Sequence, residues 1–377
     1  MPHSYGFLST YPPTQCGLAT FTSALVRSLT APPYADRAGV VRVLDTAVTS
    51  RAPEVVGHLQ TQAAGSHRAA AEMLNSFDVA VIQHEYGIYG GQDGDQILAV
   101  IDGVRVPAVL IAHTVLSRPT AHQRYVLEHA ISGVDVVVAM TEVARERLVA
   151  GYAIDHAKVV VIPHGAPYRG LTGMPAPGRK PLILTWGLLG PGKGIEWAID
   201  GLHVLRHLRP HPAYIIAGLT HPRVRRIQGE SYRLHLGERA RALGVASHVR
   251  FTGSYMDDVA LTRLVRRADV IVLPYDSYDQ VTSGVLVEAV AAGKPVVATT
   301  FPHAVEILSG GAGLLVPHHD GAAIGAALHR VLTEPEQARR MATEAARLAP
   351  ALLWTSIAQM YRRVVAGLLE TRTPVPG

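Results

Sequence analysis

Two short segments hold the residues best suited to chemistry. The first, residues 186–194, reads WGLLGPGKG, after an apolar run and before a helical pattern that starts at Ile195. A glycine-rich turn entering a helix presents free backbone N–H groups and the positive end of the helix dipole, which suits phosphate. Lys193 adds a mobile positive charge. The Lys-Ser/Thr pair of a P-loop is absent, and an ordinary strand-to-helix turn would use the same glycines. The second segment, residues 274–295, reads PYDSYDQVTSGVLVEAVAAGKP. Ser283 can cap a helix starting at Gly284, where glycine lets a ligand approach the backbone. Glu288 lies one turn further on, where a carboxylate could accept hydrogen bonds from the two hydroxyls of a ribose. A surface glutamate favouring the helix dipole is the plainer alternative.

Weaker candidates lie elsewhere. His113 ends an apolar run, and His84 with Glu85 ends the run before it. Arg223, Arg225 and Arg226 in THPRVRR offer guanidinium forks for phosphate oxygens, or simple surface charge. Asp93 and Asp95 in GGQDGDQ could start a metal site, although a solvated glycine-rich loop explains them better. Cys16, the one cysteine, has no signature of a catalytic nucleophile around it and excludes an intrachain disulfide.

These residues need a frame. Apolar runs at 40–48, 79–83, 108–112, 134–139 and 159–163 read as strands. A second series falls at 182–186, 214–217, 249–252, 270–274, 295–299 and 313–317. They lack polar alternation, as expected of parallel strands covered on both faces. Helical patterns at 19–29, 121–132, 142–150, 195–207, 257–267 and 285–292 lie between many of them. The alternation predicts an α/β fold of two doubly wound parallel sheets. The Gly- and Pro-rich stretch 164–180 reads as the break. The expected plan is an N-terminal domain at 1–168, a linker at 169–180, a second domain at 181–354 and a C-terminal helix at 355–377 that caps the second domain or crosses back to the first. The tail from 335 to 370 is helical in pattern apart from Pro350. Two such domains facing each other would form a ligand cleft.

Composition narrows the class. The chain has 377 residues, 48% hydrophobic and 17% charged, which is globular composition. A net charge of +5 favours anionic partners such as phosphates and nucleotides. Zinc-finger spacing, aromatic RNA-binding signatures and long basic tracts are lacking, so nucleic acid is not an expected partner. The N-terminal MPHSYGFLSTYPP lacks the basic and apolar regions of a secretion signal. No apolar run reaches the roughly 18 residues of a membrane span. A cytoplasmic protein is expected, with peripheral contact to the inner membrane face left open. Oligomeric state is not readable.

The second segment resembles the signature region of family-4 retaining glycosyltransferases of the GT-B fold. That family has two glutamates seven positions apart, then a small-residue helix and Gly-Lys-Pro-Val-Val. Glu288 matches the second glutamate, and residues 289–297, AVAAGKPVV, match the helix and strand after it. Gln280 stands at the first glutamate position. Residues 306–308 with 313–317, the VIPHG of 161–165, and TYPPTQCGLATFT at 10–22 resemble further motifs of the family in the right order.

The resemblance implies a metal-independent retaining transfer of a sugar from a nucleotide donor (UDP-, GDP- or ADP-linked) to a carbohydrate or lipid-linked acceptor, with no cofactor. It gives Lys193 the donor phosphates, Glu288 the ribose, and amides near Ser283, Gly284 and Val285 the phosphate or donor sugar. Gly17 would be a close-approach glycine and His113 would lie beside the donor sugar. His84 and Glu85 would face acceptor, and Tyr255 falls near where the family binds the base. Two positions depart from the pattern. Gly187 is followed by Leu188 instead of arginine, for which Arg223 could substitute. Gln280 cannot carry negative charge, so it would position sugar hydroxyls rather than accept a proton. The departures keep two rivals in view, a phosphorylase on the same scaffold and a binding protein without catalysis; a nucleotide-sugar epimerase also uses two facing α/β domains, but the pair of facing acids it requires is not evident.

Overall fold

The computed structural model describes residues 2–44, 52–170 and 179–372. Residues 45–48 of the expected first strand and 171–178 of the expected linker lie outside them. The chain forms two compact units, one of Met1–Gly165 with Trp354–Gly377, the other of Ala166–Leu353.

The first unit is built on strands β1 (Ser4–Ser9), β2 (Arg37–Leu44), β3 (Val55–Gln60), β4 (Val79–His84), β5 (Ala108–Ala112), β6 (Val136–Ala139) and β7 (Val159–Val161), ordered β3-β2-β1-β4-β5-β6-β7. The second uses β8 (Leu182–Trp186), β9 (Ala213–Ala217), β10 (Val249–Thr252), β11 (Val270–Leu273), β12 (Val296–Thr299) and β13 (Gly313–Val316), ordered β10-β9-β8-β11-β12-β13. All pairings are parallel, for example Trp186 opposite Ala217 and Leu273 opposite Ala298. Side chains of β4, β5, β8, β11 and β12 are buried on both faces, which is why they read as unbroken apolar runs. Strand order reverses at β1/β4 and at β8/β11. In a doubly wound sheet the crevice for ligands opens at the carboxyl ends of the strands on either side of that reversal.

Two strands escape the sequence pattern for packing reasons. In β1, SYGFLS, Gly6 leaves room for Phe77: a Cβ there would lie 2.6 Å from its ring. In the edge strand β3, VVGHLQ, Gly57 makes the same room for Met73, whose Sδ would lie 2.0 Å from an added Cβ. Pro350 does not interrupt the tail as expected. It sits in the last turn of the helix Pro335–Leu352, and the break comes at the extended Leu353. The next helix, Trp354–Arg372, packs within the first unit. Ile357, Ala358, Tyr361 and Val365 join Phe21 and Leu25 in its core. Arg362 pairs with the buried Asp36 at 2.7 Å and covers the Tyr34 ring at 3.4 Å.

In the second unit the helix Ile195–Gly201, which leads away from the Lys193 turn, lies against the helix Gly321–Thr333. A Cβ at Gly325 would sit 2.5 Å from the Gly201 carbonyl oxygen. Gly325→Val is therefore expected to destabilise this unit by about 1–3 kcal/mol through overpacking. Denaturant unfolding measures it; an unchanged midpoint would contradict this close approach.

Candidate functional site

In the second unit most of the expected site residues follow β8 and β11 at their carboxyl ends, while Arg223 follows β9 and Tyr255 follows β10. The 187–194 turn is braced from two sides. Asp276 N–H donates to the Gly192 carbonyl at 3.0 Å, and Asp276 Oδ1 accepts from Trp197 Nε1 at 3.0 Å. Gly194 holds φ +59°, and an added Cβ would fall 1.8 Å from the Pro274 carbonyl oxygen. No side chain fits there, so the turn closes onto the backbone just after β11. Its ammonium-bearing residue, Lys193, stands 4.3 Å above the ring of the buried Tyr275. The phenol face holds the cation without neutralising it.

The turn is also tied to the loop after β9. Leu189 N–H donates to Leu219 O at 2.8 Å, and His221 N–H donates to Leu189 O at 2.7 Å. Gly218 at φ +139° packs directly on Gly187: a Cβ would fall 1.9 Å from the Gly187 carbonyl oxygen. This brings Arg223 towards the site. The His221 ring is held below its ordinary pKa by burial first, then by the charges of Lys193 and Arg223. Both cations thus act on one ring. Leu188 does leave the turn without a guanidinium of its own, and Arg223, on the short helix Pro222–Gln228, is the nearby supplier. Arg225 is instead engaged with Glu230 at 3.4 Å. Tyr255, after β10, is exposed.

The 280–288 segment departs from expectation in detail. Ser283 is the N-cap of the helix Gly284–Ala291, its hydroxyl accepting from Leu286 N–H at 3.3 Å. Its own N–H is not available to a ligand, because it donates to Nδ1 of the buried His303 at 2.8 Å. The N–H groups of Gly284 and Val285 open the helix and have no acceptor within it. Gln280 donates its amide to the Thr282 carbonyl, and His303 N–H donates to Gln280 O at 3.3 Å. One amide N–H is used on its own turn, which leaves the other N–H and Oε1 of Gln280.

Glu288 is paired, which the sequence did not suggest. Its Oε2 lies 2.7 Å from Nη2 of Arg169, whose side chain is 2% exposed. Arg169 also donates from Nη1 to Thr262 Oγ1 and to the Asp258 carbonyl. Burial raises the Glu288 pKa, Arg169 draws it down, and Asp258 raises it. Arg169 falls in the expected linker, where little periodicity gave no signal for it. His303, in FPHAVE, likewise looked like one more polar residue. Lys294, part of the Gly-Lys-Pro match, serves structure: its buried ammonium donates to Arg266 O and Ala268 O at 2.8 and 2.9 Å, ending the helix Asp258–Arg267.

In the first unit, Gly17, His84, Glu85 and His113 also lie at carboxyl ends, around β1, β4 and β5. Gly17 starts the helix Gly17–Leu29 with Cys16 as N-cap, and nothing lies within 4 Å of where its Cβ would be. Cys16 Sγ accepts from Ala19 N–H at 3.4 Å, which is a capping role. Burial pushes the rings of His84 and His164 down to about 4 and that of His113 to about 3, with His164 and His84 adding to the effect on His113. All three are neutral at pH 7. His113 Nε2 lies 2.5 Å from Gln83 Oε1, a contact that favours the tautomer with its proton on Nε2 and its lone pair on Nδ1. Phe21 meets the rings of His113 and His164 edge-on, at 4.9 and 5.0 Å. Glu85 is raised by burial and accepts from Thr114 Oγ1 at 2.5 Å. His122 occupies the Asp93/Asp95 loop, 3.1 Å from Asp93 and 3.6 Å from Asp95. Among the described residues no group of three or more His, Cys, Asp or Glu is placed to hold a metal ion. Nor is any helix among them long and apolar enough to cross a membrane.

Comparison with known proteins agrees with this architecture. Residues 174–348 match the family model described as glycosyl transferases group 1. A D-inositol 3-phosphate glycosyltransferase of Streptomyces bingchenggensis is 28% identical over 301 residues, covering 71% of this chain and 64% of that protein. A glycogen synthase of Mycobacterium tuberculosis is 32% identical over 197 residues, 52% of this chain and 44% of that protein. The chain therefore spans less than two thirds of the length of these curated relatives. The structure of Anabaena Alr3699/HepE in complex with UDP matches with a TM-score of 0.77 at 17% identity, covering 97% of this chain and all of that one. The fold is GT-B, with two Rossmann-like parallel-sheet units.

The buried histidines set a pH dependence. His84 has a folded pKa of about 4, below its ordinary 6.5. Between those values the unfolded chain binds more protons, so stability is full above about pH 6.5 and falls as pH drops towards 4. At pH 5 the loss from His84 alone is about 2 kcal/mol. Unfolding measured at pH 7 and pH 5 should show the first unit losing stability, and His84→Gln should lose less over the same interval. Equal losses would contradict a neutral buried His84.

Proposed function

We propose that the chain is a glycosyltransferase that binds a nucleoside-diphosphate sugar on its second unit and passes the sugar, with retention and without a metal, to a hydroxyl of a carbohydrate or polyol acceptor. One observation carries the reading. At the β8/β11 switch point stand an ammonium with no carboxylate partner among the described residues, two helix-opening N–H groups and a carboxylate one turn further along. That set matches a diphosphate joined to a ribose. The UDP in the Anabaena structure supports the same donor class.

The chemistry is assigned to these groups. Lys193 and the amides of Gly284 and Val285 stabilise charge as the diphosphate leaves, and Arg223 supplies the second cation. Preorganised donors of this kind contribute a few kcal/mol each to the lowering of the barrier. His113 is too weak a base at about pKa 3 to hold a proton, so its Nδ1 accepts a hydrogen bond from a sugar hydroxyl instead. The acceptor proton then passes to the departing phosphate, on the face the acceptor enters. Gln280 Oε1 positions a hydroxyl. His84 and Glu85 serve the acceptor; burial raises the Glu85 pKa, and its Oε2 already accepts from Thr114 Oγ1. Leu188 favours a second reading: with one fewer guanidinium, a single phosphate becomes an adequate ligand, and the reaction would be phosphorolysis.

Turnover with UDP-, GDP- and ADP-sugars, monitored by nucleotide release in the presence of sugar and polyol acceptors, tests the proposal. Lys193→Ala should lower kcat about 10²- to 10³-fold with folding intact, and product NMR should show the donor's anomeric configuration kept. Undiminished turnover in Lys193→Ala, or sugar release driven only by inorganic phosphate, would overturn it.

A further inference from the structure

We propose that Arg169 is a positioning residue for Glu288, tying down one carboxylate oxygen so that the other is presented, already oriented, to the hydroxyls of a ribose. The inference rests on the nucleotide-donor reading above and adds a determinant of how the ribose is distinguished.

The geometry separates the two oxygens. Oε2 is held by Arg169 Nη2 at 2.7 Å. Oε1 accepts no hydrogen bond from the described residues and is not sealed in the core, so solvent reaches it. Arg169 is itself fixed. It is buried, and Nη1 is pinned to the helix Asp258–Arg267 through Thr262 Oγ1 and the Asp258 carbonyl. One guanidinium therefore joins that helix to the helix carrying Glu288. A guanidinium is planar and permanently charged, with donors in a rigid fork, and a lysine could not make both contacts with one geometry. A free glutamate would have to give up rotamer freedom when it meets a ribose. Here that ordering is done in advance. Burial raises the pKa of the carboxyl, and Arg169 draws it back down, against burial and against Asp258, the other charge acting on it. An acceptor-only carboxylate is what two ribose hydroxyls require.

The test is calorimetric titration of the nucleoside diphosphate that wild type binds, and of its 2′-deoxy and 2′,3′-dideoxy forms, into wild type, Arg169→Met, Arg169→Lys, Thr262→Val and Lys193→Ala. In Arg169→Met the ribonucleotide should weaken at least tenfold while the dideoxy form keeps its affinity, so the ribose preference collapses towards one. Ribonucleotide binding should also fail at a higher pH than in wild type, since the carboxyl loses its cation. Thr262→Val retains the ion pair and should lose part of the preference; it replaces Arg169→Met if that variant does not fold. Arg169→Lys should not restore the preference. Lys193→Ala should weaken every form equally. Equal weakening of all three forms in folded Arg169→Met, or an unchanged preference in both Arg169→Met and Thr262→Val, overturns the inference while leaving nucleotide binding standing. Absence of any nucleoside diphosphate binding by wild type overturns both.

Discussion

The reversal of strand order between β8 and β11 is the constraint on which the rest of the site depends. Right-handed crossovers send helices to opposite faces of the sheet on the two sides of that reversal. Helices packed on opposite faces leave a crevice at the carboxyl ends of the two strands. Most of what is assigned to the donor grows from that edge, the 187–194 turn after β8 and the 274–288 segment after β11, with Arg223 added from the helix after β9. The backbone then closes over itself. Gly218 rests on the Gly187 carbonyl and Gly194 on that of Pro274, where any side chain would collide. With these contacts made, Lys193 has little choice of position, and Tyr275 lies beneath it.

Buried charge is the second organising feature of this unit. A buried ion pair is weak evidence for stability, because desolvation of both partners offsets their attraction. The pairing of Arg169 with Glu288 is better understood as specification of geometry. It fixes a carboxylate on the outer turn of a helix and links that helix to a neighbour. Lys294 does similar work at the end of the helix Asp258–Arg267, with carbonyls as its partners. Burial lowers its pKa to about 8, and Asp269 opposes the fall. The first unit is organised the other way. Its buried histidines are neutral: Phe21 meets His113 and His164 edge-on, Gln83 binds His113, the Gly165 carbonyl binds His164, and the Tyr86 ring meets His84.

How much the sequence revealed depends on which forces act locally. Strands covered on both faces announced themselves as apolar runs, and β5, β8 and β10 have the expected bounds. The glycine turn, the Ser283 cap and Glu288 were legible because caps and tight turns are set by residues close in sequence. β1 and β3 were not, since their glycines answer to Phe77 and Met73, far along the chain. Arg169 and His303 were invisible for the same reason. Arg169 acts on Glu288 across 119 positions, and His303 takes the Ser283 N–H from 20 positions away. The expected amide set lost one member to that histidine. Pro350 misled because the helix continues for two residues past it despite the missing N–H, and the break comes only at Leu353.

The most direct test of the account is a thermal-shift panel with UDP, GDP, ADP and inorganic phosphate, run on wild type and on Glu288→Ala. A ligand at about 100 times its Kd stabilises the unit it binds by about 2.7 kcal/mol. The account predicts that one nucleoside diphosphate raises the melting temperature by several degrees and that the shift disappears in Glu288→Ala. A response to phosphate alone, or an equal nucleotide shift in the variant, would contradict a donor site built on Lys193 and Glu288.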